Sequence, residues 1–155
     1  MDNKEDGTYS ALEIAKYVIA HCIKSERPID YLQLPKILYY LQGYFLAVFG
    51  KPLFNDSIYA WKSGPMIHGV HNQYSYFGAD PIYTDDVEVD LEGTTPEEHQ
   101  LIDAVIDNKA LKPAWQLMAD IHREMPWKST KPYTIINCSN LKRYFYDYLI
   151  LKLRQ

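Results

Sequence analysis

The sequence predicts a mainly α-helical, single compact domain of about six helices with one or two short extended segments. Three observations carry that expectation. The chain has 155 residues, 47% hydrophobic, 14% aromatic and 23% charged. This is globular usage, and a chain of that size can bury roughly 68–70% of its unfolded surface in one core. Apolar residues recur at three- and four-residue spacing, and helix-start signatures stand directly before several of those stretches. No internal repeat and no second core is visible, so residues 1–9 are expected to form an N-terminal tail and residues 10–155 the helical domain.

Ser10-Ala-Leu-Glu13 is a capping box, in which hydroxyl and carboxylate each satisfy an orphan backbone donor, with Tyr9 and Ile14 at the staple positions. Leu12, Ala15, Val18, Ile19, Cys22 and Ile23 then form one stripe, and the helix should end near Ser25, before Pro28. Asp30-Tyr-Leu-Gln33 repeats the capping signature, with Ile29 and Leu34 as staple, ahead of a stripe of Leu34, Ile37, Leu38, Leu41, Phe45 and Phe49 closed by Gly50. The short linker implies an antiparallel helical hairpin. Pro35 has no N–H to donate, so a bend or a late start of this helix is expected. Gly43 costs about 1 kcal/mol relative to Ala in a helix interior. Its presence calls for a closely approaching backbone or ring, for which Tyr39, Tyr40, Tyr44 and Trp61 are candidates.

Residues 56–62 are too short and β-rich for a helix and end in the turn signal Ser63-Gly64-Pro65. Pro65 suits the first turn of a third helix with Ile67, Val70, Tyr74 and Phe77 on its apolar edge and Gly78 as its cap. Residues 79–94 read as an exposed loop or short edge strand. Thr95, Pro96, Glu97 and Glu98 start a fourth helix with Leu101, Ile102, Val105 and Ile106 inward. A fifth begins at Pro113, with Trp115, Met118 and Ile121 inward, and stops before Pro126. Asn137 or Ser139 caps the last helix, which carries Leu141, Tyr144, Phe145, Tyr148 and Leu149.

The net charge of −4 conceals an asymmetry: residues 1–108 hold 7 Lys/Arg against 17 Asp/Glu, and residues 109–155 hold 9 against 3. Nothing in residues 63–108 is basic, and that stretch carries ten acids. Such a block repels nucleic acid and attracts a basic partner, unless it simply faces the basic C-terminal region of its own fold. No apolar run approaches the ~20 residues that span a bilayer. The first residues carry no signal-peptide stretch either, so a soluble cytoplasmic protein is expected. Cys22 and Cys138 are too far apart in sequence for a CxxC pair and are expected to be reduced core thiols.

Catalytic chemistry finds no support in the motifs. His68-Gly-Val-His71 sets two imidazoles three apart, but a zinc site needs a third ligand. His122 and Glu124 are two apart and point to different sides of a helix. No GxSxG, phosphate loop or GxGxxG occurs, so neither catalysis nor a cofactor nor a metal is expected. Lys142-Arg143 and Lys152-Leu-Arg154 could line one side of the last helix, yet a pI of about 5.7 argues against direct nucleic-acid binding.

Three blocks carry a family resemblance. They are Leu32-Gln-Leu-Pro-Lys-Ile-Leu-Tyr-Tyr-Leu-Gln-Gly-Tyr-Phe-Leu-Ala47, Gly50-Lys-Pro-Leu-Phe54 and Ala60-Trp-Lys-Ser-Gly-Pro-Met66. In order and spacing they resemble the Panacea domain, the family of SocA-like and phage-associated GepA-like proteins. A later segment, with His122 before Pro126-Trp127, resembles the family's His-x-x-x-Pro-Trp stretch, so the likeness runs from about Ser10 to Phe145. The sequence departs from the family at Pro35, and no helix-turn-helix extension is expected within these residues.

The resemblance implies the antitoxin half of a toxin–antitoxin pair, a helical domain that neutralises a protein toxin encoded nearby by stoichiometric contact. It also implies an alternative, an adaptor that delivers the toxin to an AAA+ protease. A metal-dependent hydrolase centred on His68, His71 or His122 and a DNA-binding repressor are the alternatives from other classes, and a homodimer stays open. Candidate partner-binding residues are Tyr39, Tyr40, Trp61 and Lys62, where aromatics with a polar handle gather, and Asp85, Asp86 and Glu88 of the acidic stretch. The motif residues Gln42, Gly43, Gly64, Pro65, His122, Pro126 and Trp127 are expected to serve the fold.

Overall fold

The computed structural model describes residues 8–153. It is built from helices α1 (Ala11–Lys24), α2 (Leu34–Phe49), α3 (His68–Tyr74), α4 (Pro96–Lys109), α5 (Ala114–His122), α6 (Met125–Lys128) and α7 (Cys138–Leu153). A single hairpin of β1 (Tyr59–Trp61) and β2 (Gly64–Met66) and a 3-10 turn at Ser75–Phe77 complete it. Helix α2 is the axis of the domain: thirteen of its sixteen residues are buried, and α1, α4, α5 and α7 pack around it. A helix that is apolar nearly all round can exist only in that position.

The capping signal acts as expected at α1 and is displaced from the helix at α2. Ser10 and Glu13 close their box at 3.1 and 2.9 Å, and α1 ends at Ser25. Asp30 and Gln33 exchange bonds of 3.0 and 2.8 Å, but on a turn: α2 proper begins at Leu34, with Pro35 in its first turn. The late start is what the missing Pro35 N–H requires. Gly50 ends α2 in the left-handed conformation, φ +76°. Thr95 and Glu98 form a third capping box, and buried Glu98 also pairs with Lys51 at 3.1 Å.

Several expectations are corrected. Gly64 and Pro65 lie in β2 rather than in a turn, and α3 begins at His68. Pro65 is tolerated in a strand because its partner Ala60 turns its hydrogen bonds the other way. Ala60 donates to the Thr134 carbonyl at 2.9 Å and accepts from the Tyr133 N–H at 2.7 Å, so no ladder bond is lost. Trp115 is 71% exposed, not inward; Leu117 and Ile121, four apart, hold the buried phase of α5. Cys22 is buried, and burial pushes its thiol up to about 12, whereas Cys138 is exposed at the start of α7. Residues 79–94 form a loop anchored by buried Ile82 and Leu91, with no strand in it. Of the segment expected as a tail, Thr8 and Tyr9 pack on the domain, the Tyr9 N–H meeting the Leu53 carbonyl at 3.0 Å. Residues 1–7 and 154–155, with Arg154 among them, lie outside the described residues.

Candidate protein-binding surfaces

Tyr39 and Tyr40 lie in the middle of α2, where their rings are fully buried. A buried phenol must find an acceptor, and one carboxylate serves both. Tyr39 donates to Glu124 Oε1 at 2.9 Å and Tyr40 to Glu124 Oε2 at 2.7 Å. Glu124 occupies the extended residue between α5 and α6, so this knot ties that connection to the central helix. Burial, followed by the nearby carboxylate, raises both phenol pKa values, so the phenols remain donors. Burial raises Glu124 as well, against the bonds from Tyr40 and Tyr39 and the charge of Lys109. The Lys109 ammonium stands 4.1 Å from the Tyr40 ring centroid, a cation–π contact, and burial lowers its pKa.

Above the knot, Tyr44, Lys109, Lys112, Arg123, Tyr144 and Tyr148 line an open cleft of about 280 Å³. On its wall Asp120 is held by Lys112 at 3.0 Å and Arg123 at 2.7 Å. Sequence reasoning set Glu124 aside as a partner of His122, and the two do diverge, since His122 is exposed at the end of α5. Two adjacent tyrosines inside an otherwise apolar helix were the available signal that a polar partner had to arrive from elsewhere.

Of the motif residues, Gln42, Gly43, Gly64, Pro65 and Pro126 are buried, and His122 is exposed. Gln42 is buried and reads the backbone of the segment after α2: its Nε2 donates to the Phe54 carbonyl at 2.8 Å. Its Oε1 accepts from the N–H groups of Leu53 and Phe54 at 2.8 and 3.3 Å. The large ring approaching Gly43 belongs to Phe145 of α7, and not to Tyr39, Tyr40, Tyr44 or Trp61; a Cβ at Gly43 would overlap its edge. Gly43→Ala is therefore expected to cost about 1–3 kcal/mol, read from a urea midpoint with unchanged m-value, and less than that once Phe145 is shortened to Leu. Gly64, at φ +124°, leaves room for Met118 Sδ and Lys36 Cε, which a Cβ would meet at 2.9 and 3.3 Å. Pro126 is buried in the first turn of α6, and the Trp127 ring lies 5.7 Å from that of His122.

Trp61 is half-buried beside His68, His71 and Tyr133, and Lys62 is exposed at the hairpin turn. The two histidines thus pack on Trp61, and among the described residues no group of three or more His, Cys, Asp or Glu is placed to hold a metal ion. Asp85, Asp86 and Glu88 are exposed on the loop before α4. The acidic stretch meets α1 rather than the basic C-terminal region: Glu88 pairs with Lys24 at 3.3 Å, Asp107 with His21 at 2.8 Å, and Asp103 accepts from Tyr17 at 2.6 Å. Among the described residues no helix is long and apolar enough to cross a membrane.

Residues 34–128 match the family described as "Antitoxin SocA-like, Panacea domain", and the chain belongs to that family. It is similar to "Antitoxin SocA" of Caulobacter vibrioides (strain NA1000 / CB15N), 32% identical over 81 residues. The match takes in 52% of this chain and 43% of the relative, so the chain spans under half of that protein's length. No solved structure matches.

Proposed function

We propose that this chain is an antitoxin that neutralises a protein toxin by forming a stoichiometric complex with it. Membership of the SocA-like antitoxin family is the observation that carries the reading. The geometry supports it in a second way: the motif residues Gln42, Gly43, Gly64 and Pro126 are buried and spent on packing, which leaves exposed surface such as the acidic loop available to a partner. The exposed acidic loop, with Asp85, Asp86 and Glu88, is the surface suited to a basic toxin face, because a field of one sign speeds encounter with its opposite.

The test is binding to the product of the neighbouring reading frame, co-expressed with this chain and purified as a complex. Neutralising the loop with Asp85→Asn, Asp86→Asn and Glu88→Gln together is expected to lower the association rate about tenfold at low salt and to flatten its salt dependence. Unchanged rates and an unchanged salt slope would remove the loop from the interface.

A further inference from the structure

The hairpin turn and the segment following α6 face each other across a groove of about 320 Å³, lined by Trp61 and Lys62 on one side and Trp127, Pro132 and Tyr133 on the other. Two tryptophans sixty-six positions apart in sequence thus reach one surface feature, each half-buried rather than in the core. Lys62 is the one charged residue among those lining the groove, and Lys128 and Lys131, both exposed, stand next in sequence to the lining residues Trp127, Thr130 and Pro132.

Tyr133 supplies an independent observation. Lys131-Pro132-Tyr133-Thr134 is a turn closed by the Thr134 N–H on the Lys131 carbonyl at 3.1 Å, with Pro132 second and Tyr133 third at φ +65°. That third position has the left-handed backbone that favours glycine. Here a tyrosine holds it with 60% of its surface exposed and its ring 6.2 Å from Trp61. Burial in the core does not explain a bulky side chain there, and its ring forms one wall of the groove.

We propose that this groove docks an extended, acidic segment of a partner protein, anchored by one apolar or proline side chain between Trp61, Trp127 and Tyr133, with flanking Asp or Glu on the lysines. Aromatic-lined grooves take such anchors, and charge complementarity selects their flanks. The groove is separate from the acidic loop proposed to meet a basic toxin face. That loop is itself a poor occupant from a second copy, because Val87 and Val89 are half-buried and Leu91 buried in their own fold.

The test uses the full chain and synthetic peptides with a central Leu, Trp or Pro-Pro, flanked by Asp/Glu in one set and by Lys in the other, followed by the three indole N–H signals in NMR. Acidic peptides are expected to shift the Trp61 and Trp127 signals and to leave Trp115, exposed on α5, as the internal control. Tyr133→Gly relieves the turn, so it is expected to keep or raise the melting temperature while weakening peptide binding at least tenfold. Lys62→Glu weakens the acidic set selectively. Absence of shifts at millimolar peptide, equal shifts with the Lys-flanked set, or full affinity in Tyr133→Gly overturns the proposal. Shifts that follow the concentration of the chain alone also overturn it, by giving the groove to a second copy.

Discussion

Replacing Glu124 by Ala is expected to destabilise the domain by about 3–4 kcal/mol, because it orphans two buried donors in one step. Each unsatisfied buried polar group costs about 1–3 kcal/mol, and the Tyr39 and Tyr40 hydroxyls both depend on this carboxylate. The half-buried Lys109 ammonium loses a neighbouring charge as well. In a chain already carrying Tyr39→Phe and Tyr40→Phe the same substitution should cost far less, since no phenol remains to be stranded. Urea unfolding of the four chains checks this, and additive costs would mean that the knot contributes no coupling. The pH dependence has a defined sign. Burial raises Glu124 above its ordinary 4.5, so the folded state holds this proton more tightly than the unfolded one. Its contribution is greatest at low pH and declines as pH rises above about 4.5 towards the folded value. The stability difference between the wild-type chain and Glu124→Gln should fall over that window.

Gln42→Leu should cost about 3–5 kcal/mol despite conserving volume and raising apolarity. Its amide satisfies the Leu53 N–H, the Phe54 N–H and the Phe54 carbonyl, all inside the core, and leucine can replace none of these bonds. The same stretch carries the Leu53 carbonyl to the Tyr9 N–H and the Asn55 N–H to the Tyr9 carbonyl, so the N-terminal entry into α1 should loosen with it. Amide exchange at Tyr9 and Asn55 measures that coupling directly. Exchange that stays slow in Gln42→Leu would show that residues 53–55 are held without the side chain.

The helices were legible wherever the signal was local. Ser10 with Glu13, Thr95 before Pro96, and Gly50 mark ends because capping is decided by residues within one turn. Long-range packing was legible only as a requirement. Gly43 announced a ring at close quarters, yet nothing near it identified Phe145, a hundred residues away. In α5, the apolar residues Trp115, Leu117, Met118 and Ile121 offered two helical phases, and the packing of α5 on α2 selected the one with Leu117. The proline rule that placed Pro65 at a helix start failed because a strand position whose partner bonds elsewhere accepts proline equally well. Of the candidate surface, the exposure of Asp85, Asp86, Glu88 and Lys62 follows from their charge. The burial of Tyr39 and Tyr40 depends on Glu124, which no local pattern connects to them.

The family motif and the exposed loops therefore divide the molecule into a framework and the surfaces it presents. Gln42, Gly43 and Gly64 shape how α2 meets α7, the hairpin and the segment after α2. The acidic loop before α4 stands clear of that framework, whereas the aromatic groove beside the hairpin is built partly on it, since Trp61 pairs with Gly64 and Trp127 follows Pro126. Growth on co-expression tests the antitoxin reading most directly: each neighbouring open reading frame is induced with and without this chain. One neighbour is expected to arrest growth alone, to be harmless in its presence, and to co-purify with it at fixed stoichiometry. Growth arrest that persists with this chain present in excess, or the absence of any toxic neighbour that binds it, would contradict the account.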